Sequence, residues 1–320
     1  MSNEIIKIKS LTGLDVKENE PLSKHTTFKI GGPAKFFVVV DSKDKLFKAL
    51  QAVKELDLPF LILGGGSNVL ISDVGFDGLV IKLQDSEIKV DNNQVTAFAG
   101  NNLKNTINQA MKDNLGGLEF AANIPGTVGG AVRGNAGAYG KGVGDYVAQI
   151  EVIVIGDKEV GLKVLAKDDC QFDYRESIFK KNENWIISEV VLNLENKNKE
   201  DIQKEQTAID ADWQKRCGSQ PYDTPSAGCT FKNIIYTDDL VKYKDWETHG
   251  KLPAGKFIEE ADLKGKKIGG AMVSEKHSNF IVNFNNATAD DVVQLISLVK
   301  TKVRNEFGVQ LQEEVQYIGF

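Results

Sequence analysis

The sequence predicts an α+β protein in two parts, and three observations predict it. Segments with strand and helix periodicity alternate along the first two thirds of the chain without the regular order of a βαβ array. Two glycine-rich turns, 64–68 and 123–140, interrupt that region where a packed core would not want them. A Gly/Pro/Ser-rich stretch at 218–228 then separates it from a compact strand–helix–strand unit at the C-terminal end.

The elements follow from local chemistry. Residues 21–32 lead through polar residues into a short extended segment ending at Gly31-Gly32. Phe36 to Val40 is apolar and β-branched and reads as a strand. Ser42 is placed to cap a helix, with Leu46, Leu50 and Val53 at helical spacing to about Leu56. Phe60 to Leu63 is a buried strand, and Val69–Ser72 and Leu79–Leu83 read as two more. Gln94 to Gly100 alternates as a strand. Leu103 to Lys112 is a helix with Leu103, Ile107 and Met111 on one face. Strands follow at 150–155, 160–165 and 185–194. A polar helix over about 199–216 carries Ile202, Ile209 and Trp213 on its expected buried side. Residues 234–256 read as an irregular insertion. Beyond it come a short helix at 255–263 and strands at 268–274 and 279–284. Thr288 opens a capping box before Val292, Ile296, Val299 and Val303, and Gly308 closes that helix. Val309 to Ile318 returns as a strand.

Composition sets bounds on function. In 320 residues, 41% hydrophobic and 26% charged content is that of a soluble globular chain. A net charge of −6 gives no basic face for nucleic acid. No apolar run is long enough to span a membrane, and the N-terminal residues lack the apolar core of a leader, so a cytoplasmic protein is expected. Cys170, Cys217 and Cys229 have neither zinc nor disulfide spacing, so no metal is expected.

The glycine turns carry the first functional signal. The stretch 123–140 holds six glycines among Ile124, Val128, Val132 and Tyr139, a density too high for a helix or strand interior. It is either a closely packed crossover or backbone approached by a large, flat, partly anionic ligand. Gly64-Gly65-Gly66-Ser67-Asn68 follows a strand, but no Gly-Lys-Ser/Thr follows it and no helix opens after it. It is therefore neither a P-loop nor a Rossmann turn. It is either a tight turn or a nest of backbone N–H groups for a phosphate. Three side chains stay open at this level. Arg175, beside Tyr174, is a surface ion or a fixed cation in a cleft. Cys229 is a core thiol or a reactive one. Glu314 is an edge carboxylate or an inward one.

Taken in order, these motifs resemble one family over nearly the whole chain, the UDP-N-acetylenolpyruvoylglucosamine reductases (UDP-N-acetylmuramate dehydrogenases). The resemblance rests on 26–32, Gly64-Gly-Gly-Ser-Asn68, Ile124-Pro-Gly-Thr-Val-Gly-Gly130, Asn135-Ala-Gly-Ala-Tyr139, Tyr174-Arg-Glu-Ser177, Lys264-Gly-Lys-Lys-Ile-Gly-Gly270 and 314–319. It implies an FAD-binding region of the vanillyl-alcohol-oxidase (PCMH) type over residues 1–217, in two α+β subdomains split near 84. It also implies a smaller substrate-binding domain over 218–320, whose last strand packs back toward the flavin. The resemblance implies non-covalent FAD held by Gly64, Gly65, Gly66, Ser67, Asn68, Pro125, Gly126, Thr127, Gly129, Gly130, Asn135 and Gly137. NADPH is the implied reductant and UDP-N-acetylglucosamine enolpyruvate the implied substrate. Arg175 and Glu314 match the family's catalytic arginine and glutamate, and Cys229 stands where its proton donor is usually serine. Tyr174, Lys232, Asn233 and His277 match substrate contacts, with Arg216 as a diphosphate candidate. The short segment after Ser177 matches the branch without an inserted tyrosine loop. A monomer is expected. The runner-up is another FAD oxidase of this fold acting on a sugar or hydroxy acid, which would not need Arg175, Cys229 and Glu314 together.

Overall fold

A computed structural model describes residues 3–320. Met1 and Ser2, which open the segment read for a leader, lie outside the described residues. The chain forms two compact units. Among the described residues the first takes 3–20, 34–65 and 77–213, and the second takes 21–33, 66–76 and 214–320. The last break falls at 213/214, where the sequence predicts one at 217/218. The second unit also draws in two short segments from the first eighty residues, which a single cut does not foresee.

The first unit is built on two sheets. A four-stranded sheet orders its strands Lys17–Pro21, Pro33–Val40, Phe76–Leu83, Phe60–Leu63, the last two parallel. A five-stranded antiparallel sheet orders Val160–Ala166, Val147–Ile155, Trp185–Asn193, Gln94–Phe98, Ile88–Asp91. One apolar core serves both sheets, and the helix Lys43–Leu56 presses Leu46, Ala49, Leu50 and Val53 into it. Ser42 caps that helix, its Oγ accepting from the N–H of Lys45 at 3.4 Å. A helix at Asn3–Thr12, absent from the sequence reading, adds Ile5 and Ile8 to the same core.

Two expectations in this unit are corrected. The glycine density of 123–140 does not exclude helix, because Val128–Arg133 is helical with Gly129 and Gly130 inside it. Thr127 Oγ1 caps it by accepting from Gly130 N at 3.2 Å. Gly129 earns its place by proximity, since a β-carbon there would stand 2.7 Å from Ala99 Cβ. On the helix Lys199–Ser219, Ile209 is buried, but Trp213 is 38% exposed with Lys104 over its ring.

The second unit packs the helix Ala289–Phe307 and the helix Ala254–Glu260 around a separate core that includes Phe231, Phe257, Leu295 and Val299. Its main sheet is antiparallel, in the order Ser226–Cys229, Phe280–Asn283, Ala271–Val273, Lys267–Ile268. Thr288 and Asp291 form the expected capping box, and Gly308 ends the helix at φ +71°. The insertion is less irregular than its composition suggests. It holds a 3-10 stretch at Asp238–Trp246 and a small ladder, Ile234–Ile235 with Lys251–Leu252. Tyr243 anchors it, stacked 5.1 Å from Trp246 and edge-on to Phe257 at 5.0 Å.

The expected strand Val309–Ile318 is also corrected. Only Gln316–Ile318 is a strand, and it pairs in parallel with Val69–Ile71. Residues before it bond singly to another partner, with Lys232 N donating to Gln312 O at 2.9 Å and Glu314 N donating to Thr230 O at 2.8 Å. A chain that changes partner midway cannot continue one ladder.

Candidate active site

In the first unit the two glycine turns meet. A β-carbon on Gly64 would lie 2.6 Å from Thr127 Oγ1, and one on Gly65 would lie 2.8 Å from Gly126 Cα. No side chain fits on either glycine: Gly65 rests on the main chain of Gly126, and Gly64 on the side chain of Thr127. The second turn is in turn fixed to the start of the helix Leu103–Lys112. Leu103 N donates to Gly126 O at 3.1 Å, Val128 N to Asn101 O at 2.8 Å and Gly129 N to Ala99 O at 2.9 Å.

The same unit stitches Arg175 to that glycine-rich stretch. Asp173 and Glu176 exchange backbone hydrogen bonds of 3.1 Å, closing a turn with Tyr174 and Arg175 at its tip. Asn135 Nδ2 donates to Asp173 O at 2.9 Å, and Asn135 Oδ1 accepts from Gly144 N at 2.9 Å. Ser177 Oγ donates to Arg133 O, at the end of the glycine-bearing helix, at 2.7 Å. Arg175 is held at φ +56°, a left-handed conformation that costs a non-glycine residue about 1–2 kcal/mol. Its guanidinium lies 5.5 Å from the centre of the Tyr174 ring. Gly137 pairs with Gly142 on the small ladder beyond.

In the second unit another set converges. Asn68 Nδ2 donates to Glu314 O at 3.2 Å, and Gln316 N donates to Asn68 O at 3.0 Å. Glu314 N bonds Thr230 O, the residue after Cys229, so Asn68, Cys229 and Glu314 share one neighbourhood. The sequence reading missed the side chain that fixes it. Asn279 is buried, donates through Nδ2 to Phe231 O at 2.9 Å, accepts at Oδ1 from Phe231 N at 3.0 Å, and its carbonyl takes Thr230 N at 2.7 Å. Cys229 pairs in register with Phe280, whose ring meets His277 at 4.9 Å. Burial, with the Lys264 charge added, holds His277 below the usual histidine range. Its Nδ1 accepts from Asn279 N at 3.3 Å. Asn233 spends Oδ1 on Ala254 N at 3.2 Å, at the head of a helix. Arg216 lies in the last turn of the helix Lys199–Ser219, and its carbonyl takes Gln220 N at 2.7 Å. By contrast Cys170 is a core thiol, pushed up to about 11 by burial. Among the described residues no cluster of His, Cys, Asp or Glu is arranged for a metal.

Comparison with known proteins places the chain among relatives. An FAD binding domain model matches residues 34–160. The model of the UDP-N-acetylenolpyruvoylglucosamine reductase C-terminal domain matches 220–318. A UDP-N-acetylenolpyruvoylglucosamine reductase of Caldanaerobacter subterraneus subsp. tengcongensis is 41% identical over 302 residues, covering 94% of this chain and 93% of the relative. The chain belongs to the UDP-N-acetylenolpyruvoylglucosamine reductase family. A family member from Clostridium botulinum is 40% identical over 319 residues, 99% of this chain and 97% of the relative. The crystal structure of the reductase from Thermus caldophilus superimposes with a TM-score of 0.72 at 31% identity, covering 95% of this chain and 98% of that one. As a reductase of this family the chain is an FAD-dependent oxidoreductase that uses NADPH, with a role in peptidoglycan precursor synthesis. Its α+β architecture is an FAD binding domain plus the family's smaller C-terminal domain. No helix among the described residues is long and apolar enough to cross a membrane.

Proposed function

We propose that this reductase turns UDP-N-acetylglucosamine enolpyruvate into UDP-N-acetylmuramate with Arg175, Glu314 and Cys229 as its reacting groups. The observation that carries the reading is the pair of bonds from Asn135 and Ser177, which tie the Arg175 turn to the glycine-rich stretch. The residues fit FAD on structural grounds. The Gly64–Gly65 and Gly126–Thr127 contact leaves backbone where a phosphate needs close approach. Near it, Asn101 Oδ1 and Asn123 Oδ1 are buried without a donor, acceptors that a ligand hydroxyl or imide N–H satisfies. Residues 64–68, Pro125, Gly126, Thr127, Gly129 and Gly130, with Asn135 and Gly137, would hold it.

The chemistry that FAD would supply when bound is a hydride, drawn from NADPH, delivered to C3 of the enolpyruvyl ether. The new C3–H bond uses that hydride pair, and the electron pair of the C2–C3 double bond moves to C2 and into the carboxylate as an enolate. Arg175 places a guanidinium, always charged, on that carboxylate, and such preorganised charge is the largest usual contribution to rate. Glu314 shares a proton with the same carboxylate and spreads its charge further. Cys229 then gives its Sγ proton to C2, and the thiolate recovers a proton from solvent. A thiol has an ordinary pKa near 8.5 and is a stronger acid than the serine hydroxyl usual at this position. Tyr174, Lys232, Asn233, His277 and Arg216 contact the UDP-sugar. The chain follows the branch without the inserted tyrosine loop and works as a cytoplasmic monomer.

A visible spectrum of the purified protein tests the reading. The expected result is a yellow, acid-releasable flavin, bleached by NADPH and reoxidised by the enolpyruvyl substrate. Reoxidation by a simple alcohol-derived carbonyl instead, or a colourless protein that takes up no flavin, overturns it.

A further inference from the structure

Lys82 is a cation in an apolar strand. The strand Phe76–Leu83 sends Leu79, Ile81 and Leu83 into the main core of the first unit. Alternation therefore turns Lys82, with Val80, to the opposite face. Lys82 stands opposite Leu63 in the parallel pair, and its ammonium donates to the carbonyl of Gly64, the first residue of the glycine turn. An ammonium has three donors, and that carbonyl takes one. Among the described residues no carboxylate pairs with it. Burial holds it below the usual lysine range, and no neighbouring charge offsets the loss of water. Lysine is rarely withdrawn from water unless something anionic compensates.

We infer that Lys82 is a cofactor-binding residue whose ammonium pairs with the diphosphate of FAD at the Gly64–Gly65 turn. The inference rests on the reading that this turn holds FAD. The diphosphate is the part of FAD that calls for it. The turn offers only neutral groups to an approaching anion, and the chain as a whole is acidic at −6, so a local cation compensates the diphosphate charge. A lysine ammonium is a compact point charge that suits phosphate oxygens, whereas a neutral ring would be better served by packing. The sequence signal was present but passed over: a single lysine inside Leu79-Val80-Ile81-Lys82-Leu83.

The test compares ligands with and without the diphosphate. Apoprotein is titrated with FAD, FMN and riboflavin, read by quenching of flavin fluorescence, for the natural chain, Lys82→Met, Lys82→Gln and Lys82→Arg. Lys82→Gln keeps an N–H for the Gly64 carbonyl and removes only the charge. The expected result is FAD affinity weakened about 10- to 100-fold in Lys82→Met and Lys82→Gln, the range of a charge-assisted hydrogen bond. Riboflavin affinity stays unchanged, and Lys82→Arg retains most of the FAD affinity. Circular dichroism confirms that each variant is folded. Unchanged FAD affinity, or equal weakening of FAD and riboflavin, overturns the inference and leaves Lys82 as a structural bond to Gly64. Failure of the natural chain to bind any flavin overturns the underlying FAD reading instead.

Discussion

The backbone of Gly65 rests on that of Gly126, so closely that a β-carbon on Gly65 would stand 2.8 Å from the Gly126 α-carbon. This one contact joins the end of the strand Phe60–Leu63 to the turn before the helix Val128–Arg133. Neither side can yield cheaply, because the obstructing atom is main chain.

Gly65→Ala is therefore expected to separate the two turns. Overpacking of this kind costs about 1–3 kcal/mol, and flavin content should fall with stability. Gly161→Ala is the control, since a β-carbon there meets nothing within 4 Å. Flavin-to-protein absorbance ratios and thermal unfolding of both variants decide it. Equal flavin content in the two would refute the cradle.

Arg175 sits at φ +56°, a backbone that asparagine tolerates better than most residues. Arg175→Asn should consequently fold and hold flavin while losing the charge. Turnover with the enolpyruvyl substrate should drop about 10²- to 10³-fold, the usual loss on removing one preorganised donor. Bleaching of the flavin by NADPH should persist. Loss of both half-reactions together would point to a structural role for the turn.

The role proposed for Cys229 separates the two half-reactions in a different way. Cys229→Ser should keep substantial turnover, since serine is the donor that the family resemblance implies at this position. Cys229→Ala should lower turnover about 10²- to 10⁴-fold, the span of a general acid, and leave NADPH reduction of the flavin intact. Full turnover in the alanine variant, measured by stopped-flow reoxidation, would remove Cys229 from the mechanism.

His277 gives stability a pH dependence of known sign. Its folded pKa lies below the ordinary 6.5 because burial disfavours the imidazolium. Between that lowered value and 6.5 the unfolded chain binds a proton that the folded chain refuses, so stability rises with pH across the window. The contribution is complete above 6.5 and is lost as pH falls through the folded pKa. Protonation at Nδ1 would also break the bond from Asn279 N. Urea midpoints at pH 7.5, 6.5 and 5.5 should fall on acidification, and less steeply in His277→Gln. Parallel curves for the two proteins would contradict the assignment.

Local chemistry alone determined much of this molecule. Ser42, Thr288 and Gly308 marked helix ends because capping is a matter of adjacent residues. The strands at Phe60–Leu63 and Trp185–Asn193 were legible because pleating repeats every second residue. The ordered motifs carried the family. Tertiary structure decided what depends on partners far off in the chain. It moved residues 66–76 into the second unit, where Val69–Ile71 takes Gln316–Ile318 as its partner and Asp73 accepts from Ala289 N at the head of a helix. It cut the last strand short, because Gln312 and Glu314 bond instead to Lys232 and Thr230, in the segment after Cys229. It exposed Trp213 on a helix face read as buried, and singled out Asn279 and Lys82. Periodicity and capping act over a few residues, whereas pairing register, buried polar partners and the contact of two glycine turns are set by which distant segments the core brings together.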